Sequence, residues 1–79
     1  MTDYDIARKL SNLQADCYER FGIESAPRDS DTYNEYVSWI IDQIHKSNLI
    51  SFINKRDIDY LEDWNCHMAA EAVERIMND

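Results

Sequence analysis

NKRDIDYLEDWNCHMAAEAVERIM, residues 54–77, is the longest uninterrupted helical pattern in the sequence, and the fold class turns on it. Asn54 reads as an N-cap with Asp57 three residues on, a weaker relative of the capping box. Asp57, Asp59, Glu62 and Asp63 place negative charge in the first turns, and Arg75 places positive charge near the end, as the helix dipole favours. Ile58, Leu61, Met68, Ala69, Ala72, Val73 and Ile76 share one face at a 3.6-residue period. Tyr60, Trp64, His67 and Glu71 form a second line, centred roughly 140° from the first at about 100° per residue. The spacing predicts one helix over 55–77. Asn65 falls between Leu61 and Met68 on its apolar side. The ordinary reading is a buried amide bonded to a neighbouring helix; the sharper one is a polar residue setting register in a helix–helix seam.

Working back towards the start, Leu49-Ile50-Ser51-Phe52-Ile53 is an apolar run too short for a bundle helix and reads as a connector plugging the end of the core. Before it, Ser30 or Asp31 caps a helix over 31–47 whose core stripe is Tyr33, Tyr36, Val37, Ile40, Ile41 and Ile44. Trp39 lands about 120° off that stripe, beside Glu35, Gln43 and Lys46. Residues 23–29 form a loop, with Pro27 excluding helix. Ile6, Leu10, Leu13, Cys17 and Phe21 predict a first helix over 3–21, capped by Thr2 or Asp3 and closed by Gly22. One Gly and one Pro argue against a β protein. The expectation is a single all-α domain over 1–79: a small three-helix bundle (3–21, 31–47, 55–77) with a short connector at 49–53.

Sixteen acids against eight bases give a net charge of −8. That disfavours direct binding to nucleic acid, which needs clustered Lys and Arg, and to an anionic membrane. It favours a basic protein partner, although acidity also serves plain solubility. The chain opens on polar residues and holds no 18-residue apolar run, so neither a secretory segment nor a membrane span is expected. Two cysteines without a disulfide framework point to a reducing, cytoplasmic setting.

Chemistry-bearing patterns fail one by one. Asp29 and Asp31 begin like a calcium loop, but Tyr33, Asn34 and Ile40 stand where it needs Asp or Asn, Gly and Glu. Cys17, His45, Cys66 and His67 lack paired ligand spacing, and Cys66 and His67 diverge by about 100° on a helix. There is no phosphate loop, nucleophile elbow or dinucleotide fingerprint. No metal, cofactor or enzymatic activity is therefore expected.

The aromatics remain. Trp39 and Trp64 both lie off the core stripes, and such rings commonly anchor interfaces, although in a small bundle they also cover core rims. The expected function is a small acidic module that occupies a basic, nucleic-acid-binding surface of a partner protein. Trp39, Tyr60, Trp64, His67 and Glu71 are the candidate contacts, with Glu35, Asp57, Asp59, Glu62 and Asp63 supplying charge; Asp29, Asp31 and Glu74 are further candidates. Small size, acidity and surface aromatics make the chain similar in class, though not in residues, to phage and mobile-element inhibitors such as anti-CRISPR and anti-restriction proteins. The alternative is a structural module that self-associates as a homodimer through the Trp64 line and Asn65.

Overall fold

The computed structural model describes residues 2–22 and 26–78; positions 23–25 of the expected loop lie outside them. It is all-helical, with α1 (Asp3–Phe21), α2 (Asp31–Lys46), α3 (Lys55–Asp63) and α4 (His67–Met77). The first two helices fall where the apolar periodicity puts them. At the head of α1, Thr2 Oγ1 accepts from Asp5 N (3.2 Å) while the Asp5 carboxylate accepts from Thr2 N (3.3 Å), a complete capping box. Gly22 ends the helix at φ 70°, a conformation that favours glycine. Ser30 caps α2, accepting from Tyr33 N at 3.1 Å.

The third helical segment is divided. Residues 54–77 do not run straight, because Asn65 turns left-handed (φ 60°). Its N–H donates to Glu62 O (3.1 Å), and Cys66 N donates to Leu61 O (2.7 Å). This is the Schellman pattern that satisfies the last carbonyls of a helix. Asn65 is exposed, so its expected role as a buried amide does not hold: the residue is a helix terminator, suited by its short polar side chain to positive φ. A straight helix over these 24 positions would reach about 36 Å, beyond the longest dimension of the molecule, 31 Å.

α1 and α4 form the central pair. Each touches all the other helices, whereas α2 and α3 do not touch each other among the described residues. One core runs through them, from Ile6 and Leu10 of α1 to Tyr36, Val37, Ile40 and Ile44 of α2, Leu61 of α3, and Met68 and Val73 of α4. Ala69, Ala70 and Ala72 bury a wide arc of α4 and let its backbone come close to its neighbours. Leu49 closes the core end as expected of the connector, while Ile50 and Phe52 point out.

The head of α4 carries no cap of its own, since Cys66 accepts no bond there. The acceptor comes from α1: Gln14 Oε1, almost fully buried, takes the Ala69 N–H at 2.9 Å. That donor is one of the helix-end amides left without an intrahelical partner.

Candidate functional site

The break at Asn65 separates the four residues that a straight helix would have aligned. Tyr60 and Trp64, on the α3 side, pack together with centroids 5.7 Å apart. Both receive Tyr4 of α1 edge-on, at 6.1 Å and 89° for Tyr60 and 5.6 Å and 81° for Trp64. These are favoured arrangements for aromatic pairs. The rings pack on one another yet stay open to solvent: Tyr4 is 47% exposed and Trp64 36%. Tyr4 lies outside the set read from the sequence. Its signal was available, since it stands in the first turn of α1 away from the Ile6–Leu10 stripe, but only the α1–α3 contact brings it beside Trp64.

His67 and Glu71, on the α4 side, are engaged elsewhere. His67 Nδ1 lies 2.8 Å from Glu62 Oε2, and Arg28 approaches the other oxygen of Glu62 at 3.7 Å. Tyr33 donates its hydroxyl to the His67 carbonyl at 3.3 Å. This group ties the chain before α2 to the α3–α4 corner. Glu71 meets Arg75 at 3.9 Å, and Arg75 donates to Asn34 Oδ1 at 2.7 Å, joining α4 to α2. The four residues Tyr60, Trp64, His67 and Glu71 are therefore not one line on one helix: the break at Asn65 puts two on each side of it, with different contacts.

Asp57 does not serve as a surface charge. Its side chain is fully buried, and its Oδ2 accepts from Asn54 N at 2.8 Å, so it caps α3 from within. Oδ1 has no hydrogen-bond partner among the described residues. Burial pushes this carboxyl above the ordinary aspartate range; the Asn54 N–H opposes that shift and nearby Asp3 adds to it. Asp59, Asp63 and Glu35 are exposed, as are Asp29, Asp31 and Glu74.

No family model, curated protein or solved structure matches the chain.

Trp39 is half-buried. Phe21, the last residue of α1, stacks on Tyr36 at 4.8 Å and meets Trp39 edge-on at 6.2 Å and 85°. Much of the Trp39 ring is thus spent on the core rim, and what remains open borders Asp16, Glu19, Arg20 and Gln43.

The thiols have settled partners. Burial pushes Cys17 up to about 11, and its Sγ lies 3.9 Å from the Tyr36 carbonyl. Cys66 Sγ lies 3.3 Å from Ser11 Oγ. Among the described residues no three of His, Cys, Asp and Glu gather in a way that could hold a metal ion. Among the same residues no helix is long and apolar enough to cross a membrane.

Proposed function

We propose that this chain is a protein-binding module that docks through the Tyr4–Tyr60–Trp64 face onto a basic surface of a partner, most naturally one that binds nucleic acid. The observation that carries this reading is a mutually packed, solvent-open aromatic cluster bordered by Asp59 and Asp63 on a chain of net charge −8. Exposed aromatics supply anchoring area at low entropic cost, and the surrounding acids speed encounter with a cationic partner. Occupying a phosphate-binding surface in this way is how an inhibitor of the anti-CRISPR or anti-restriction type would act. Self-association through the same rings is the competing outcome, and light scattering separates the two.

The test is displacement. Purified nucleic-acid-binding proteins are loaded with labelled duplex, and the chain is titrated in at low and at high salt. Displacement by wild type, weakened at least about tenfold by Trp64→Ala and falling steeply with salt, is the expected result. Affinity that ignores salt would overturn the charge-competition mechanism. A salt-insensitive dimer lost in Trp64→Ala would replace it with the homodimer.

A further inference from the structure

We propose that Asp57 is a proton-operated latch: with a proton on Oδ1 it holds the head of α3 against α1, and without that proton the two heads open more readily and Tyr4 parts from Tyr60 and Trp64. The latch acts on the rings of the open cluster and does not depend on what docks there.

The geometry centres on Asn54. Its backbone N–H donates to Asp57 Oδ2 (2.8 Å) and its side-chain Nδ2 donates to Asp3 Oδ1 (2.9 Å), so one residue joins the carboxylates of two helices. Arg56 reaches the other oxygen of Asp3 at 3.4 Å. Tyr4 is the next residue after Asp3, and Tyr60 and Trp64 follow Asp57 by three and seven residues, on the same face of α3. Movement of the α3 head away from α1 therefore breaks the Asn54–Asp3 bond and strains the ring contacts together.

A capping carboxylate normally sits in water at the head of its helix. Asp57 is fully buried instead, with Oδ2 engaged and Oδ1 without a hydrogen-bond partner among the described residues. Such a site penalises the ionised form, and a proton can add at Oδ1 without disturbing the cap at Oδ2. The surrounding charges do not offset the penalty. α1 and α4 are the helices packed on α3. From α1, Asp3 is a like charge, and Arg56 is drawn to it. From α4, Glu74 comes against the first turns of α3 across a solvent-open hollow that it shares with Lys55, Ile58 and Asp59. Lys55, Arg56 and Asp59, the charged neighbours on α3 itself, are exposed. Burial accordingly lifts the Asp57 carboxyl above the usual aspartate range, with Asp3 adding to the shift and the Asn54 N–H opposing it. Opening the head returns Asp57 to water and to its ordinary proton affinity. Between the ordinary value and the raised one, opening should grow by up to about tenfold per pH unit and level off above.

Hydrogen exchange at the Asn54 amide, corrected for its intrinsic pH dependence, and the Overhauser contacts between the Tyr4 and Trp64 rings test this across mildly acidic pH. Protection of Asn54 should fall as pH rises, and the ring contacts should weaken with the midpoint of the Asp57 carboxyl signal. Asp57→Asn keeps an acceptor for the Asn54 N–H and carries no charge, so both readouts should be flat. Asp3→Asn keeps the acceptor for Asn54 Nδ2 and removes the neighbouring charge, so the midpoint should move to lower pH. That variant alters a partly exposed side chain and decides the matter even if Asp57→Asn does not fold. The Trp39 indole, beside Asp16 and Glu19, should titrate alike in wild type and both variants. Asn54 protection that ignores pH, ring contacts that do not follow the Asp57 midpoint, a wild-type response in Asp57→Asn, or an unmoved midpoint in Asp3→Asn each overturn the latch.

Discussion

At one end of α1, Phe21 stacks on Tyr36 and closes over the edge of Trp39. At the other end, Tyr4 meets Tyr60 and Trp64, and among the described residues Tyr4 and Trp64 stay exposed. The two clusters lie about 25 Å apart along the helix, at 1.5 Å per residue between Tyr4 and Phe21. Both tryptophans are off the apolar stripes of their helices, yet one is a rim of the core and the other a free surface. The length of the neighbouring element makes the difference. α2 runs for 16 residues beside α1 and carries Trp39 inward with Tyr36, whereas α3 has only nine and stops at Trp64.

The most direct way to break this contrast is the same substitution at both ends. Trp39→Ala should lower stability by about 2–4 kcal/mol, as loss of a partly buried large ring does, and leave partner binding intact in the folded protein. Trp64→Ala should cost about 1 kcal/mol or less in urea unfolding and appear chiefly as lost binding. Coincident unfolding curves for the two variants would erase the distinction.

Next in size is the bond that holds the head of α4 on α1. Gln14→Ala leaves the Ala69 N–H without its acceptor and should cost about 1–3 kcal/mol. Exchange-sensitive NMR would place the loosening at the head of α4 and the α3–α4 corner, with the Trp39 end undisturbed. An even response across both ends would mean that the corner is not an independent support.

A smaller effect is expected at the terminator itself. Asn65→Ala places a residue poorly suited to positive φ there and should cost about 1 kcal/mol, while Asn65→Gly should stay within a few tenths of wild type. Thermal melts of the pair decide this, and equal losses would point to the Asn side chain instead of the backbone.

The smallest effect concerns pH. Because burial raises Asp57 in the folded state, the folded protein takes up this proton before the unfolded chain does. This group therefore makes stability rise as pH falls from its folded value towards the ordinary aspartate value, with no further change from it above that window. Asp57→Asn should remove this component. Unfolding midpoints of wild type and variant, compared across mildly acidic pH, would show the opposite slope if Asp57 were stabilised as a carboxylate.

Asn48 and Asn65 show how far the sequence could be read. Both are left-handed, at φ 59° and 60°, and both close a helix by the same pair of bonds: Leu49 N to Ile44 O and Asn48 N to His45 O in one case, Cys66 N to Leu61 O and Asn65 N to Glu62 O in the other. Asn48 was legible as an ending because Ser47 precedes it and a different pattern follows. Asn65 was not, because the apolar period resumes on its far side at Met68 and makes two helices resemble one. The core stripe survives the break, with Met68, Ala69, Ala72 and Val73 buried like Leu61, whereas the outer line is divided between the Tyr4 contacts of Tyr60 and Trp64 and the ion pairs of His67 and Glu71. Within single helices the phase was sound, as α1 and α2 show. The capping role of Asn54 and Asp57 was legible too; that the capping carboxylate is wholly covered was not, since it depends on tertiary packing such as the contact of Asn54 with Asp3, 51 residues away in sequence. Tyr4 joins the open cluster for the same reason, through a tertiary contact that periodicity does not encode.

The Gln14 bond also bears on how the molecule assembles. α4 has no acceptor of its own for the Ala69 amide, so as a detached peptide it would fray from its first turn. Forming that turn and docking it on α1 become one event, and α4 gains no stable existence ahead of α1. Hydrogen exchange at Ala69 should then be slow and should track global unfolding, making this one amide a reporter of when the two central helices separate.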